Sequence, residues 1–96
     1  MRNLLAFDLG ASNGRAILGQ FDGEKLTMRE LHRFENNYIE MNGVFYWDLP
    51  YLYNQLKLGL LAFRQANVGE LDCFGIDTWG VDFGLLDRND QLLANP

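Results

Sequence analysis

Three apolar stretches at the start of the chain predict three strands of one sheet. Residues 3–9 are apolar enough for a central strand that is covered on both faces. Residues 14–21 predict a second strand, which ends near the Asp22–Gly23 turn, and residues 25–34 predict a third. The third alternates less strictly and carries more charge, which favours an edge or half-exposed position. Because the links are short, we expect an antiparallel meander.

A polar loop and a short strand are predicted next. Residues 35–43 are polar and turn-rich, so Glu35, Asn36 and Asn37 are expected in a solvated loop. Residues 44–47 are mainly aromatic and predict a short strand. Side chains of this kind are more often part of a core, although the preceding loop could extend toward a ligand.

A helix is predicted to begin after Asp48, which is a favourable N-cap residue. Pro50 fits the first turn because its missing N–H needs no partner there. Asn67 and Gly69 are stop signals that put the end of the helix around Ala66. The apolar positions that recur along one face of this helix are Leu52, Leu56, Leu60 and Phe63.

Two further strands are predicted near the end of the chain. Residues 71–78 follow the helix, which indicates a parallel crossover back onto the sheet beside the first strand. Cys73 lies in this strand and is expected to be a small core residue. After Trp79 and Gly80, residues 81–86 predict a last strand. Apart from the short strand at 44–47, the resulting β-β-β-α-β-β order is typical of an α/β, ribonuclease H-like or actin-like, half-domain.

Composition restricts the partners more than the fold. The chain has 96 residues, of which 48% are apolar and 22% charged, enough for one small globular domain. A net charge of −5 without a basic cluster argues against nucleic acid or an anionic membrane as a partner. With a single cysteine and no signal peptide or membrane span, a reducing cytoplasm is the expected location. The last five residues stop in mid-connection, which suggests a piece of a longer protein.

The polar turn between the first two strands, Gly10–Gly14, is the first candidate site. Its small residues allow backbone N–H groups and the Ser12 hydroxyl to surround an anion such as a phosphate. Asp8 lies just before the turn, where it can hold a hydrated divalent cation against that phosphate. The turn lacks the Gly-Lys-Ser/Thr ending of a Walker loop and the G-x-G-x-x-G spacing of a dinucleotide site. The simpler alternative is an ordinary hairpin with an Asn-Gly turn.

Residues 75–87 contain the second candidate site. Asp77 and Asp82 interrupt apolar segments, and a carboxylate buried without a partner is costly. Gly80 permits a ligand to approach the backbone, Trp79 offers a flat apolar face of the kind that stacks on sugars, and Asp82 can accept hydrogen bonds from sugar hydroxyls. In the alternative interpretation Trp79 is core, Gly80 forms a bulge and both aspartates cap turns.

These segments carry a family resemblance. The sequence DLGASNGR, followed some sixty residues later by GIDTWGVDFGLLD, resembles the FGGY carbohydrate kinases of the sugar kinase, Hsp70 and actin superfamily. The match covers essentially the whole chain, and TWGVD is most similar to the members that act on L-rhamnulose. The resemblance implies transfer of the γ-phosphoryl group of ATP, with Mg²⁺, to the 1-hydroxyl of L-rhamnulose, giving L-rhamnulose 1-phosphate. It also implies that residues 1–96 are the N-terminal part of the first, sugar- and phosphate-binding domain of a two-domain kinase.

The resemblance assigns roles to individual residues. Asp8 matches the acid that contacts Mg²⁺ through water, and Gly80 matches a sugar-contacting position that Trp79 and Asp82 would assist. The general base of the family is an aspartate that would lie beyond residue 96, so no catalytic residue is expected within this stretch. Asn13 departs from the serine more usual in the family, but it retains a hydrogen-bond donor. The expected ATP-phosphate loop comprises Ala11, Ser12, Asn13, Gly14 and Arg15.

Three alternatives stay open from the sequence. The chain is part of another FGGY kinase with a different ketose or polyol substrate, a superfamily ATPase that acts as a switch without a small-molecule acceptor, or a half-domain that binds nothing. His32, the only histidine, lies on a charged strand and is expected to be structural under each of them.

Overall fold

The antiparallel meander is present in the computed structural model, which describes residues 1–96. Apolar side chains pair across its first two strands, with Leu5 opposite Leu18 and Phe7 opposite Ala16. The third strand lies at the sheet edge and is largely exposed, as predicted. The three strands are β1 (Arg2–Leu9), β2 (Asn13–Phe21) and β3 (Leu26–Glu35).

The chain then forms a small hairpin and the predicted helix. Strands β4 (Ile39–Met41) and β5 (Val44–Tyr46) pair outside the main sheet, and helix α1 (Leu49–Ala66) follows. The Asp48 side chain accepts a hydrogen bond from the backbone N–H of Tyr51 at 3.2 Å, which confirms the N-cap. At the other end Asn67 adopts the left-handed conformation with φ 53°, which confirms the stop signal.

Strand β6 (Cys73–Thr78) returns parallel to β1, as expected for a crossover through a helix. The sheet order is therefore β3-β2-β1-β6, with β1 central and β6 at the second edge. Helix α1 packs on one face of the sheet, and buried apolar side chains form two clusters between them. The first cluster comprises Leu5, Phe7, Ala16, Leu18 and Phe63, and the second comprises Leu9, Phe34 and Leu52.

The face of α1 that meets the sheet differs slightly from the predicted one. Leu52 and Phe63 are buried as expected, but Leu60 is exposed and Gly59 takes its place against the sheet. A Cβ atom at Gly59 would overlap the ring of Phe7, so only glycine lets the helix axis come this close. The spacing pattern does not register a glycine as a contact position, and the prediction for Leu60 was therefore wrong.

Three further expectations are corrected by the structure. Residues 81–86 form no strand: Val81 is almost fully exposed with a positive φ of 71°, and only a single bridge joins Leu86 to Leu92. Cys73 is exposed rather than core, because the described chain provides no layer over the edge strand β6. The side chains of β5 are not core either, since they belong to the small hairpin, where Phe45 is exposed and packs on Tyr38.

No helix of the described chain combines the length and the apolar character needed to cross a membrane.

Candidate functional site

The two candidate segments leave the sheet side by side. The last residue pair of the β1–β6 ladder joins Leu9 to Thr78, so Gly10 and Trp79 both start at the same end of two neighbouring strands. Trp79 also packs against the cluster that contains Leu9 and Phe34. Loops at the carboxyl ends of adjacent parallel strands are the usual position for ligand sites in α/β folds.

The β1–β2 turn exposes backbone donors at its tip. The N–H of Gly10 donates to the carbonyl of Asn13 at 2.9 Å, and a Cβ at Gly10 would lie 2.8 Å from that same oxygen. Glycine is therefore required for the turn to close. The N–H groups of Ala11 and Ser12 donate to no group of the chain. This tip has the free donors and small side chains that binding of an anion requires.

Charged and amide side chains stand beside the turn on the sheet face opposite the helix. The guanidinium of Arg15 donates from Nη2 to Asn13 Oδ1 at 2.9 Å, and its Nε lies 3.6 Å from Asp8 Oδ2. Both charged side chains are partly exposed, so the pair adds little stability. Asp77 lies opposite Asp8 in the parallel ladder and therefore projects from the same face.

The donor set fits a hydrated rather than an enclosed cation. No three acidic, histidine or cysteine side chains of the chain come together closely enough to surround a metal ion. Asp8 keeps nearly half of its side-chain area exposed at the end of β1, next to the free donors of the turn. Mg²⁺ commonly keeps several waters and binds through one carboxylate together with substrate phosphates, and Asp8 is suited to such contact.

The second candidate segment is organised around Asp82. One carboxylate oxygen, Oδ2, accepts hydrogen bonds from the indole N–H of Trp47 at 2.9 Å and from that of Trp79 at 2.5 Å. The two indole rings lie 4.6 Å apart between centroids, with an interplanar angle of 51°. These hydrogen bonds, the Trp47 one first, lower the pKa of Asp82 below its ordinary value of 3.8. Asp82 is therefore ionised at neutral pH and holds the two rings together.

These rings border a small cleft next to the first candidate segment. Its volume is about 170 Å³, and its lining includes Leu9, Leu52, Thr78 and both indoles. Gly80 lies in the same loop, and a Cβ atom there would meet no atom within 4 Å. The arrangement combines an apolar, aromatic wall with a carboxylate whose second oxygen, Oδ1, accepts no bond from the chain. A polyhydroxylated ligand is the kind of molecule that such a wall binds.

Sequence reasoning missed two residues that the structure brings to this region. The aromatic composition of residues 44–47 predicts a core position for Trp47, but the residue is half-buried beside Trp79. The polar composition of residues 35–43 predicts a solvated loop, yet Asn36 is only 2% exposed and contacts the β1–β2 turn. No local pattern could have identified either residue, because both contacts join segments more than twenty residues apart. The structural interpretation of His32 agrees with its position, since its Nε2 lies 2.7 Å from Gln55 Oε1.

The chain is similar in sequence to enzymes that phosphorylate sugars. It is 46% identical over 95 residues to the rhamnulokinase of Halalkalibacterium halodurans and 45% identical over 97 residues to that of Bacteroides thetaiotaomicron, covering 99% of this chain in both cases. The chain is thus similar to rhamnulokinases over nearly its whole length. It spans about one fifth of the length of these curated relatives, 20% and 19% respectively. No family model matches the chain.

Solved structures confirm the α/β fold. Ligand-bound xylulose kinase from Lactobacillus acidophilus superposes with a TM-score of 0.77 at 14% identity, over 99% of this chain and 19% of that one. Gluconate kinase from the same organism gives the same TM-score at 15% identity, over 98% of this chain and 19% of that one. The similarity to the rhamnulokinases therefore extends to a fold shared with other sugar kinases.

Proposed function

We propose that this chain is the N-terminal part of the first domain of an FGGY carbohydrate kinase that transfers the γ-phosphoryl group of ATP to the 1-hydroxyl of L-rhamnulose. The single observation that carries the proposal is the 46% identity to a rhamnulokinase across the whole chain. The joint position of the two candidate segments at one end of the sheet supports it. Phosphoryl transfer depends mainly on positioning and on neutralising charge, and such a layout serves both.

The β1–β2 turn is the proposed ATP-phosphate site. The free N–H groups of Ala11 and Ser12 would bind phosphate oxygens, and Arg15 would offset their charge by exchanging Asp8 for phosphate. Asp8 would then be available to contact hydrated Mg²⁺, which supplies further charge neutralisation when bound. Asn13, which accepts from Arg15, would keep the guanidinium close to the turn, and Gly14 would leave room for the Phe34 ring beneath the turn.

The cleft lined by Trp79 and Trp47 is the proposed ketose site, and Gly80 follows Trp79 in the chain without lining that cleft. Trp79 and Trp47 would provide the apolar wall, and the free Oδ1 of Asp82 would accept from a sugar hydroxyl. Asp82 already accepts hydrogen bonds from two indole N–H groups, and these bonds lower its pKa, so it is a poor candidate for the general base. We assign that role to an aspartate of the intact protein outside residues 1–96.

The test is release of ADP by the intact protein with Mg-ATP and a panel of L-rhamnulose, L-fuculose, D-xylulose and glycerol. Release that depends on L-rhamnulose and is weak with the others is the expected result. Stimulation by a different member of the panel would move the assignment to another FGGY kinase. Release that ignores every acceptor would favour an ATPase switch and return Gly80 and Asp82 to structural roles.

Asp8→Asn provides a companion test of the cation assignment. The amide keeps the size of the side chain but removes the charge that attracts a divalent ion, so we expect Mg-ATP-dependent turnover to fall and the Mg²⁺ requirement to rise. Glu40→Gln removes one carboxylate from the β4–β5 hairpin and is the matched control. Unchanged turnover of Asp8→Asn at ordinary Mg²⁺ concentrations would remove Asp8 from the site.

A further inference from the structure

Asn36 follows β3 immediately and reaches back to the β1–β2 turn. Its side chain Nδ2 donates to the carbonyl of Gly10 at 2.8 Å, and its backbone N–H donates to the carbonyl of Ser12 at 3.0 Å. The residue is 2% exposed. One buried residue therefore holds two carbonyl groups of the turn, one on each side of its tip.

These two hydrogen bonds determine the direction of backbone N–H groups. A trans peptide unit is planar, so the N–H of a residue points away from the carbonyl of the residue before it. No peptide bond of the chain is cis. Because the Gly10 carbonyl points at the Asn36 side chain, the N–H of Ala11, one of the two free donors of the turn, points away from it. Without this bond the Gly10–Ala11 peptide unit would be free to rotate and turn its carbonyl oxygen toward a bound anion.

The surroundings of Asn36 argue against a simple packing role. Its Oδ1 is enclosed and accepts no hydrogen bond from the chain. A buried acceptor without a protein partner costs stability, so an apolar residue of similar size would fill this place more favourably. What asparagine provides here, and an apolar residue does not, is the donor to Gly10.

We propose that Asn36 is a positioning residue for nucleotide binding: its side chain holds the turn so that the Ala11 N–H faces the phosphates. This inference rests on the proposed function, because it needs the turn to bind a phosphate. It adds a residue that acts only through the turn and touches neither nucleotide nor sugar. Its effect should therefore appear in nucleotide binding and spare the ketose.

The test compares three variants of the intact protein with the wild type. Asn36→Ala removes the donor to Gly10 but keeps the backbone bond to Ser12, and Asn36→Asp removes the same donor at nearly constant volume. Asn37→Ala is the matched control, because Asn37 is exposed and its side chain bonds only to Glu35. The measurements are the dissociation constant of Mg-ADP by calorimetry, the KM for each substrate, and thermal unfolding.

Both Asn36 variants should weaken Mg-ADP binding about tenfold, which is the change in affinity expected when the hydrogen bond from Asn36 to the Gly10 carbonyl no longer holds the turn. The KM for the ketose should stay near the wild-type value, and Asn37→Ala should match the wild type in both. Wild-type Mg-ADP binding by Asn36→Ala would overturn the inference while leaving the proposed function intact. Equal rises in both KM values would also overturn it, since they indicate general loss of structure.

A measurement on the wild type alone keeps the inference testable if the variants do not fold. Hydrogen–deuterium exchange of the segment 9–15 should slow when Mg-ADP binds, because the Ala11 N–H, which Asn36 holds outward, becomes a donor to phosphate. Bound nucleotide without any change in this segment would contradict the orientation argued above. A wild type that binds no Mg-ADP would instead refute the proposed function, and this inference with it.

Discussion

Gly14 and Phe34 should show strong energetic coupling. A Cβ atom at Gly14 would overlap three atoms of the Phe34 ring, Cζ, Cε2 and Cε1. That ring is 7% exposed, packs with Leu9 and Leu52, and has the rings of His32 and Tyr51 at 5.7 and 6.3 Å, so it has little room to move. Gly14→Ala is therefore an overpacking substitution.

The expected cost follows from two opposing contributions. Overpacking of a buried position costs about 1–3 kcal/mol. Alanine also lowers the conformational entropy of the unfolded chain, which offsets about 0.4–1 kcal/mol of the overpacking cost, because the backbone at Gly14 does not require a positive φ. Gly14→Ala should thus lower the free energy of unfolding by about 1–2 kcal/mol. Because the turn lies next to this contact, binding of Mg-ATP should weaken as well.

The assay is a double-mutant cycle by urea denaturation of the intact protein. Phe34→Leu removes the ring atoms that the added methyl group would meet, so Gly14→Ala should become neutral or slightly stabilising in that background. Gly75→Ala is the comparison for a strand glycine whose Cβ position meets no atom of residues 1–96. The reasoning is refuted if Gly14→Ala has the same cost with phenylalanine and with leucine at position 34.

Two further predictions concern the second candidate segment. Gly80→Val should leave the unfolding transition unchanged, because a Cβ atom there meets no atom within 4 Å. It should raise the KM for the ketose but not the KM for Mg-ATP. Normal ketose kinetics would show that the segment has a structural role only. Trp47→Phe removes the first cause of the lowered Asp82 pKa, so that pKa should rise toward 3.8, as followed by the NMR shift of the carboxyl carbon. The lowered folded-state pKa of Asp82 stabilises the wild type at pH values above 3.8, and this stabilisation is lost as the pH falls through the folded-state pKa. The difference in stability between wild type and Trp47→Phe should therefore be present at neutral pH and close below pH 3.8. A difference that acid leaves unchanged would exclude Asp82 as its source.

The sequence by itself determined the elements whose signals are local. Apolar runs and short polar links specified β1, β2 and β3, and Asp48 and Asn67 marked the ends of α1 through capping chemistry. The expectation that β1 is covered on both faces was wrong, because it is buried only at alternate positions, on the face that meets α1. The parallel return of β6 followed from the crossover rule. The composition of two polar segments, the Gly10–Gly14 turn and residues 75–87, predicted the candidate phosphate site and the candidate sugar site.

Tertiary structure decided everything that depends on which distant segments meet. Gly59 replaced Leu60 at the helix–sheet contact because close approach to Phe7 leaves no room for a side chain. Residues 81–86 failed to form a strand although their composition favours one: Val81 adopts a positive φ, and only the single bridge from Leu86 to Leu92 pairs this segment. Asn36 and Trp47 reached the candidate site through hydrogen bonds across 26 and 35 residues. Such contacts leave no periodic trace in the sequence, since periodicity reports only which face of an element is apolar and not what that face meets.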